Sequence, residues 1–170
     1  MLFGRASELA IRAVVHLALQ PPGKLTPVHE IAQGTGLPGP YLAKLMRRLI
    51  DARLVRAFRG PGGGLQLGRS PEAVSLWSVV RAMEGPLQPQ WCVLGLRLCS
   101  PEKPCPMHPR WSALCEETQR LLEETTLALL VQGLRENLEL GPESWVRVPS
   151  PGTRRPPAEL EKSKGEEDGR

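Results

Sequence analysis

The chain has 170 residues, enough for one domain or at most two, with 41% hydrophobic and 24% charged residues, a globular balance. Pro (18) and Gly (17) are abundant but not periodic, which excludes a collagen-like fibre, and apolar runs such as Leu127-Ala128-Leu129-Leu130-Val131 are too short to span a membrane. The net charge of +4 is split: residues 1–90 carry 11 Lys and Arg against 5 Asp and Glu, whereas residues 91–170 carry 11 against 13, so the N-terminal half is the candidate polyanion binder.

Residues 5–20 read as an amphipathic helix. Ile11, Val14, Val15 and Ala18 share one face, and Glu8, Arg12, His16 and Gln20 recur every four residues as a polar stripe. Arg5, Glu8 and Arg12 interrupt the apolar stretch, so no export signal is expected and the cytoplasm is the expected compartment. Pro21-Pro22-Gly23 stops this helix. Thr26 is the expected N-cap of a short second helix, with Pro27 at its first position; it runs through Val28, Ile31 and Ala32 and ends at Gly34 and Gly36. A third helix begins after Leu37-Pro38-Gly39-Pro40. Leu42, Leu45, Met46 and Leu49 form its apolar face, and Tyr41, Lys44, Arg48 and Asp51 lie opposite. Two short helices joined by a Gly-containing turn, the second one basic, are a helix-turn-helix arrangement, although any small helical hairpin has the same outline.

The next segment narrows the choice. Leu54–Phe58 and Leu65–Leu67 alternate as strands around the tip Arg59-Gly60-Pro61-Gly62-Gly63-Gly64. A phosphate-cradling nucleotide loop needs a following helix and usually a Lys; here a strand follows and Lys is absent. A helix-turn-helix followed by a two-stranded hairpin is a winged helix. Residues near the start of a recognition helix meet base edges, which nominates Tyr41 and Lys44, while Arg48 suits phosphate and Arg59 and Gly60 sit at the wing tip. Ser75 is the expected cap of a fourth helix that buries Leu76, Val79, Val80 and Met83, with Trp77 in a packing role and Gly85-Pro86 as the end.

Pro109 suits the first turn of a long helix. Trp111, Cys115, Thr118, Leu122, Thr125 and Leu129 alternate spacings of four and three, flanked by Leu114 and Leu121, as in a coiled-coil seam. Such a helix has nothing left in a small domain to pack against, so a second copy of the chain is its expected partner. A break near Thr125-Thr126 and a restart through Leu138 are expected. From about Trp145 Pro and charge dominate, and the tail is expected to be disordered. The expected organisation is a winged helix-turn-helix over 1–86, a Cys-rich loop over 87–108, a dimerisation helix region over 109–140 and a disordered tail over 146–170.

Without an export signal, four Cys point to metal or redox chemistry rather than disulfides. Cys92, Cys99 and Cys105 are separated by six and five residues and followed by Pro106-Met107-His108. Thiolates are soft ligands, so the expected centre is an iron–sulfur cluster or zinc, and intervals longer than those of a zinc finger or ribbon favour the bulkier cluster. His108, one helical turn past Cys105, is the candidate fourth ligand. Cys115, on the helix seam, reads as a buried core thiol. No nucleophile–His–acid set or nucleotide fingerprint appears, so an enzyme is not expected.

Taken in order, the amphipathic first helix ending at Leu17–Leu19, Pro40-Tyr41-Leu42, the wing Arg59–Gly64 and the Cys-x6-Cys-x5-Cys-x2-His string resemble the Rrf family of winged-helix transcriptional regulators, and within it the iron–sulfur-sensing IscR/NsrR-like group. The resemblance covers roughly residues 1–135. It implies a mainly α fold with a small β-wing, a homodimer with crossing long helices, and binding of a double-stranded DNA operator, with Arg59 reaching the minor groove. It also implies a 2Fe-2S or 4Fe-4S cluster on Cys92, Cys99 and Cys105. The fourth ligand is either the His after the third Cys, matching His108, or an acidic side chain of the partner's first helix, matching Glu8; within one chain Glu8 reads as an i, i+4 ion pair with Arg12. The expected function is regulation of transcription, with operator affinity set by cluster supply, nitric oxide or redox state. The alternatives are a zinc-stabilised or cluster-free DNA-binding regulator and an iron–sulfur electron carrier.

Overall fold

Helix α1 (Arg5–Leu19) is the element the others pack around: Leu9, Ala10, Ala13 and Val14 are buried, and α2 (Val28–Thr35), α3 (Gly39–Asp51), α4 (Leu76–Glu84) and α6 (Leu127–Glu136) lie against it. Between α3 and α4 the chain forms an antiparallel pair, β1 (Val55–Phe58) and β2 (Gly64–Leu67), in the register Val55 to Leu67 and Phe58 to Gly64, then a short 3-10 turn at Pro71–Ala73. Helix α5 (His108–Glu124) precedes α6. This computed structural model describes residues 3–85 and 92–137; Pro86, Leu138, Trp145 and the tail 146–170 singled out above lie outside them.

The start of α1 is tied to the end of α4, since the Gly4 N–H and the Ser7 hydroxyl both donate to the Glu84 carboxylate, the hydroxyl at 2.6 Å. One main core joins Leu9, Val14, Ile31, Leu42, Leu49, Val55 and Val79 with Leu127 and Val131 of α6. A smaller one joins Trp77 and Val80 of α4 to Leu122 of α5. Trp77 is therefore a packing residue, and Ser75 caps α4 by accepting from the Ser78 N–H at 3.2 Å, as expected.

Four expectations need correction. Thr26 does not cap α2: its N–H and C=O both pair with Leu65 at 2.9 Å, so it acts as a strand position beside the wing, and Pro27 takes the cap position. Gly34 lies inside α2 rather than ending it. The helix is closed by Gly36, whose φ of 67° is the left-handed conformation of a C-terminal glycine, with the Leu37 N–H returning to the Ala32 C=O at 3.1 Å. Gly34 is needed for another reason: a Cβ there would lie 2.2 Å from the His16 ring. His16 in turn leaves the polar stripe of α1 and is only 8% exposed, because α2 closes over it.

The fourth correction concerns the predicted seam. The chain does break at Thr125, and Thr126 caps α6 by accepting from the Leu129 N–H. The Leu76 N–H bonds to the Thr125 C=O and the Leu127 N–H to the Val74 C=O, each at 2.9 Å, which pins the break against the start of α4. α6 then turns its apolar side inward. Leu127 and Val131 are buried while Leu129, assigned to the seam, is exposed. Leu122, also assigned to the seam, is buried against Trp77 and Val80 of its own chain, and Cys115, expected as a buried core thiol, is half-buried; of the large apolar residues of α5, Leu114 and Leu121 are the exposed ones.

Candidate cysteine centre and nucleic-acid interface

The loop from Cys92 to Met107 carries turns at Gly95, which has a φ of 68°, and at Ser100–Lys103, where paired backbone bonds close a tight reversal. These turns bring three distant thiols together. The sulfurs of Cys92, Cys99 and Cys105 all lie within 4.8 Å of one another. Cys92 and Cys105 stand 3.6 Å apart. His108 opens α5, and its N–H bonds to the Cys105 C=O at 2.9 Å, so the ring turns back over the loop with Nδ1 3.2 Å from the Cys99 sulfur. The candidate donors thus stand as a sulfur trio, with Cys92 beside Cys105, joined by His108 through Cys99. All four are half-buried.

The thiols differ in their ease of ionisation. Backbone N–H groups of Leu96 and, less so, Leu94 pull the Cys92 thiol below its ordinary value, helped by the neighbouring thiols. The Cys105 backbone also lowers Cys99, but burial and the crowding thiols of Cys105 and Cys92 outweigh it and leave Cys99 raised. Burial and the adjacent Glu116 raise Cys115, which lies outside the trio. Glu8 sits elsewhere, held between Arg5 at 2.5 Å and Arg12 at 2.7 Å.

The second group of candidate residues lies on α3 and the wing. Lys44 and Arg48 are exposed four residues apart on α3. Tyr41, in the first turn, is half-buried and packs against the core, so only part of it is open to solvent. Arg47 is exposed on the same helix and meets Asp51 at 3.8 Å; the reading of α3 passed it over although it lies three residues beyond Lys44. Arg56, on β1, is a further exposed cation beside the wing tip.

The tip is built by glycines with stated tasks. The Gly63 N–H donates to the Gly60 C=O at 2.9 Å, with Pro61 second and Gly62, φ 75°, third in the turn, as a type II turn requires. Gly60 itself has a φ of 103°, and a Cβ on Gly63 would lie 2.3 Å from the Phe58 oxygen. Arg59 is exposed at the base of this turn. Thr26 braces the hairpin through its two bonds to Leu65, where a Cβ on neighbouring Gly64 would come within 2.9 Å of the Thr26 carbonyl.

Comparison with known proteins agrees with this architecture. CymR, the global cysteine regulator of B. subtilis, superimposes with a TM-score of 0.65 at 27% identity, covering 77% of this chain and 96% of that one. T. potens IscR has the same fold, with a TM-score of 0.65 at 24% identity over 78% of this chain and 88% of its own. The helix-turn-helix-type transcriptional regulator IscR of Yersinia pestis is 32% identical over 122 residues, 72% of this chain and 74% of that protein. The Yersinia protein is a transcriptional regulator and CymR a global cysteine regulator, neither of them an enzyme. Among the described residues no helix is long and apolar enough to cross a membrane. The Rrf2 family, described as iron-dependent transcriptional regulators, matches residues 3–133, and the chain belongs to that family.

Proposed function

We propose that this transcriptional regulator works as a homodimer whose affinity for a DNA operator is set by an iron–sulfur cluster held by Cys92, Cys99, Cys105 and His108. The observation that carries this reading is the convergence of the donors, with Cys92 beside Cys105 at 3.6 Å and Cys99 beside His108 at 3.2 Å. Two thiolates bound at about 2.3 Å to one tetrahedral metal ion stand roughly 3.8 Å apart, so Cys92 and Cys105 have the reach of a single iron site. An iron–sulfur cluster supplies a centre that responds to oxidants, to nitric oxide and to iron supply. His108 is preferred over Glu8 as fourth ligand because it already faces Cys99, whereas Glu8 is engaged by two guanidinium groups.

The loop runs directly into α5, and α5 meets the DNA-binding half through Leu122 against Trp77 and Val80. A loop anchored at four points fixes the start of α5, and through it the placement of α4 and of the recognition helix α3 packed on α4. A difference of about 1–3 kcal/mol between the loaded and empty forms changes operator affinity roughly five- to 150-fold. Lys44 and Arg48 on α3, the open edge of Tyr41, and Arg59 with Gly60 on the wing are the proposed DNA contacts.

The compactness of the three sulfurs also suits one zinc ion, which would brace the loop without sensing. Anaerobic purification separates the readings. Iron, acid-labile sulfide and visible absorbance are expected; a colourless protein with stoichiometric zinc would replace the cluster by a structural site. Cys92→Ala, Cys99→Ala and Cys105→Ala should each abolish the absorbance, while Cys115→Ala should keep it. His108→Ala should shift the spectrum or make it labile to oxygen, and Glu8→Ala should not. Equal operator affinity of the loaded protein and the triple-Cys variant would remove the sensing step and leave a cluster-independent regulator.

A further inference from the structure

A cleft of about 690 Å3 shares no lining residue with the cysteine loop or with α3. It opens between three parts of the fold: the end of α1 with the turn after it, the root of the wing on β2, and α6. Its volume lies in the range of small-molecule sites. Leu17, Ala18, Leu67 and Val131 supply an apolar lining, and Leu17, Ala18 and Val131 are otherwise buried in the main core. Around them stand Lys24, Arg69 and Arg135 against two acids, Glu72 and Glu136.

The partners of these charges decide what the cleft can hold. Lys24 donates to the Glu30 carboxylate and to the Gln20 side-chain amide oxygen. Glu136 already accepts from the Gln132 amide at 2.9 Å. Arg69 and Arg135 form no ion pair among the described residues. Glu72 and Glu136 also line the cleft and form no ion pair with either arginine among the described residues, so the lining holds three cations against two acids. Two guanidinium groups that have no ion-pair partner, beside an apolar floor, can take a carboxylate on a hydrocarbon body: the fork of each Arg suits the two oxygens, and the floor suits the chain.

We propose that this cleft binds a small organic anion, a carboxylate with an apolar body. An occupant would touch β2, which carries the wing, and α6, which continues from the dimerisation helix, and its binding would be linked reciprocally to operator binding. That consequence rests on the regulator reading; the binding itself does not.

The test is calorimetry on the full chain without DNA or metal, so its outcome is independent of the cluster and the operator. Hexanoate is the probe, with acetate lacking the apolar body and hexylammonium lacking the negative charge. One site per chain is expected for hexanoate, with Kd about 1 mM or tighter. Acetate and hexylammonium should bind at least tenfold more weakly. The double variant Arg69→Ala/Arg135→Ala, at two exposed positions, should lose at least tenfold for hexanoate, and Arg120→Ala on α5, outside the cleft, should lose nothing. No saturable hexanoate binding, equal binding of hexylammonium, or unchanged affinity in the double variant would overturn the proposal.

Discussion

His16 shows how a single side chain ties the first helix to the helix-turn-helix. Its ring fills the space left by the missing Cβ of Gly34, and burial holds its pKa below the ordinary 6.5, partly opposed by Glu30 and assisted by Lys24. The Gln20 amide approaches Nε2 at 3.5 Å, and Nδ1 is buried with no hydrogen-bond partner among the described residues. A ring in this setting is neutral when folded, so the unfolded chain binds the extra proton. Stability should be full above the unfolded pKa near 6.5 and fall as pH drops toward the lower folded value, by at most about 1.4 kcal/mol per pH unit. Urea unfolding at pH 7.5, 6.5 and 5.5 should show this decline, and His16→Gln should flatten it. An equally steep decline in the variant would assign the loss to other groups. The residue also marks a limit of periodicity: a four-residue polar stripe puts His16 with Glu8 and Arg12, and only the packing of α2 over α1 reveals that it is inside.

The elements divide by how local their causes are. Helices α1, α3 and α4 were legible because each has an apolar stripe at helical spacing, and the wing because Pro and Gly occupy the positions its turn demands. The clustering of Cys92, Cys99 and Cys105 was legible from their density, but the pairing of Cys99 with His108 was not, since it depends on how the Gly95 and Ser100–Lys103 turns fold the loop. α6 was misread for a similar reason. Leu127, Leu129, Leu130 and Val131 form an apolar run, and a run does not say which side faces in; the backbone bridge at Ser75 and Thr126 sets that rotation. Leu127→Ala should therefore cost about 2–5 kcal/mol, and Leu129→Ala less than about 0.5 kcal/mol, in equilibrium unfolding of dilute protein. The reverse order would restore the original seam. On the wing, Arg59→Ala should weaken operator binding most on sites with a narrow minor groove, measured by fluorescence titration at fixed salt, because an exposed guanidinium on a rigid turn reads groove potential rather than base edges. Unchanged affinity would remove Arg59 from the interface.

At the scale of the whole molecule, the basic residues of α3 and the wing belong to the half of the chain with the positive excess, while α5 presents apolar surface that the described residues leave exposed. Leu114 and Leu121 are 48% and 62% exposed and lie seven residues apart, two turns along one stripe with Thr118 between them. Leu122, on the adjoining side, is the residue that holds α5 to α4. A helix gripped along one edge and apolar along the next is suited to packing against its own copy, and a two-fold arrangement would set two recognition helices about one DNA turn, roughly 34 Å, apart on a pseudo-palindromic operator. The double variant Leu114→Glu/Leu121→Glu places like charges along that stripe without disturbing the core. It should sediment as a monomer at micromolar concentration, with the helical content of the parent protein, and bind the full operator at least tenfold more weakly while keeping its affinity for an isolated half-site. A variant that remains dimeric would move the interface off this stripe of α5. A monomer that binds the full operator as tightly as the parent would show that dimerisation does not contribute to recognition.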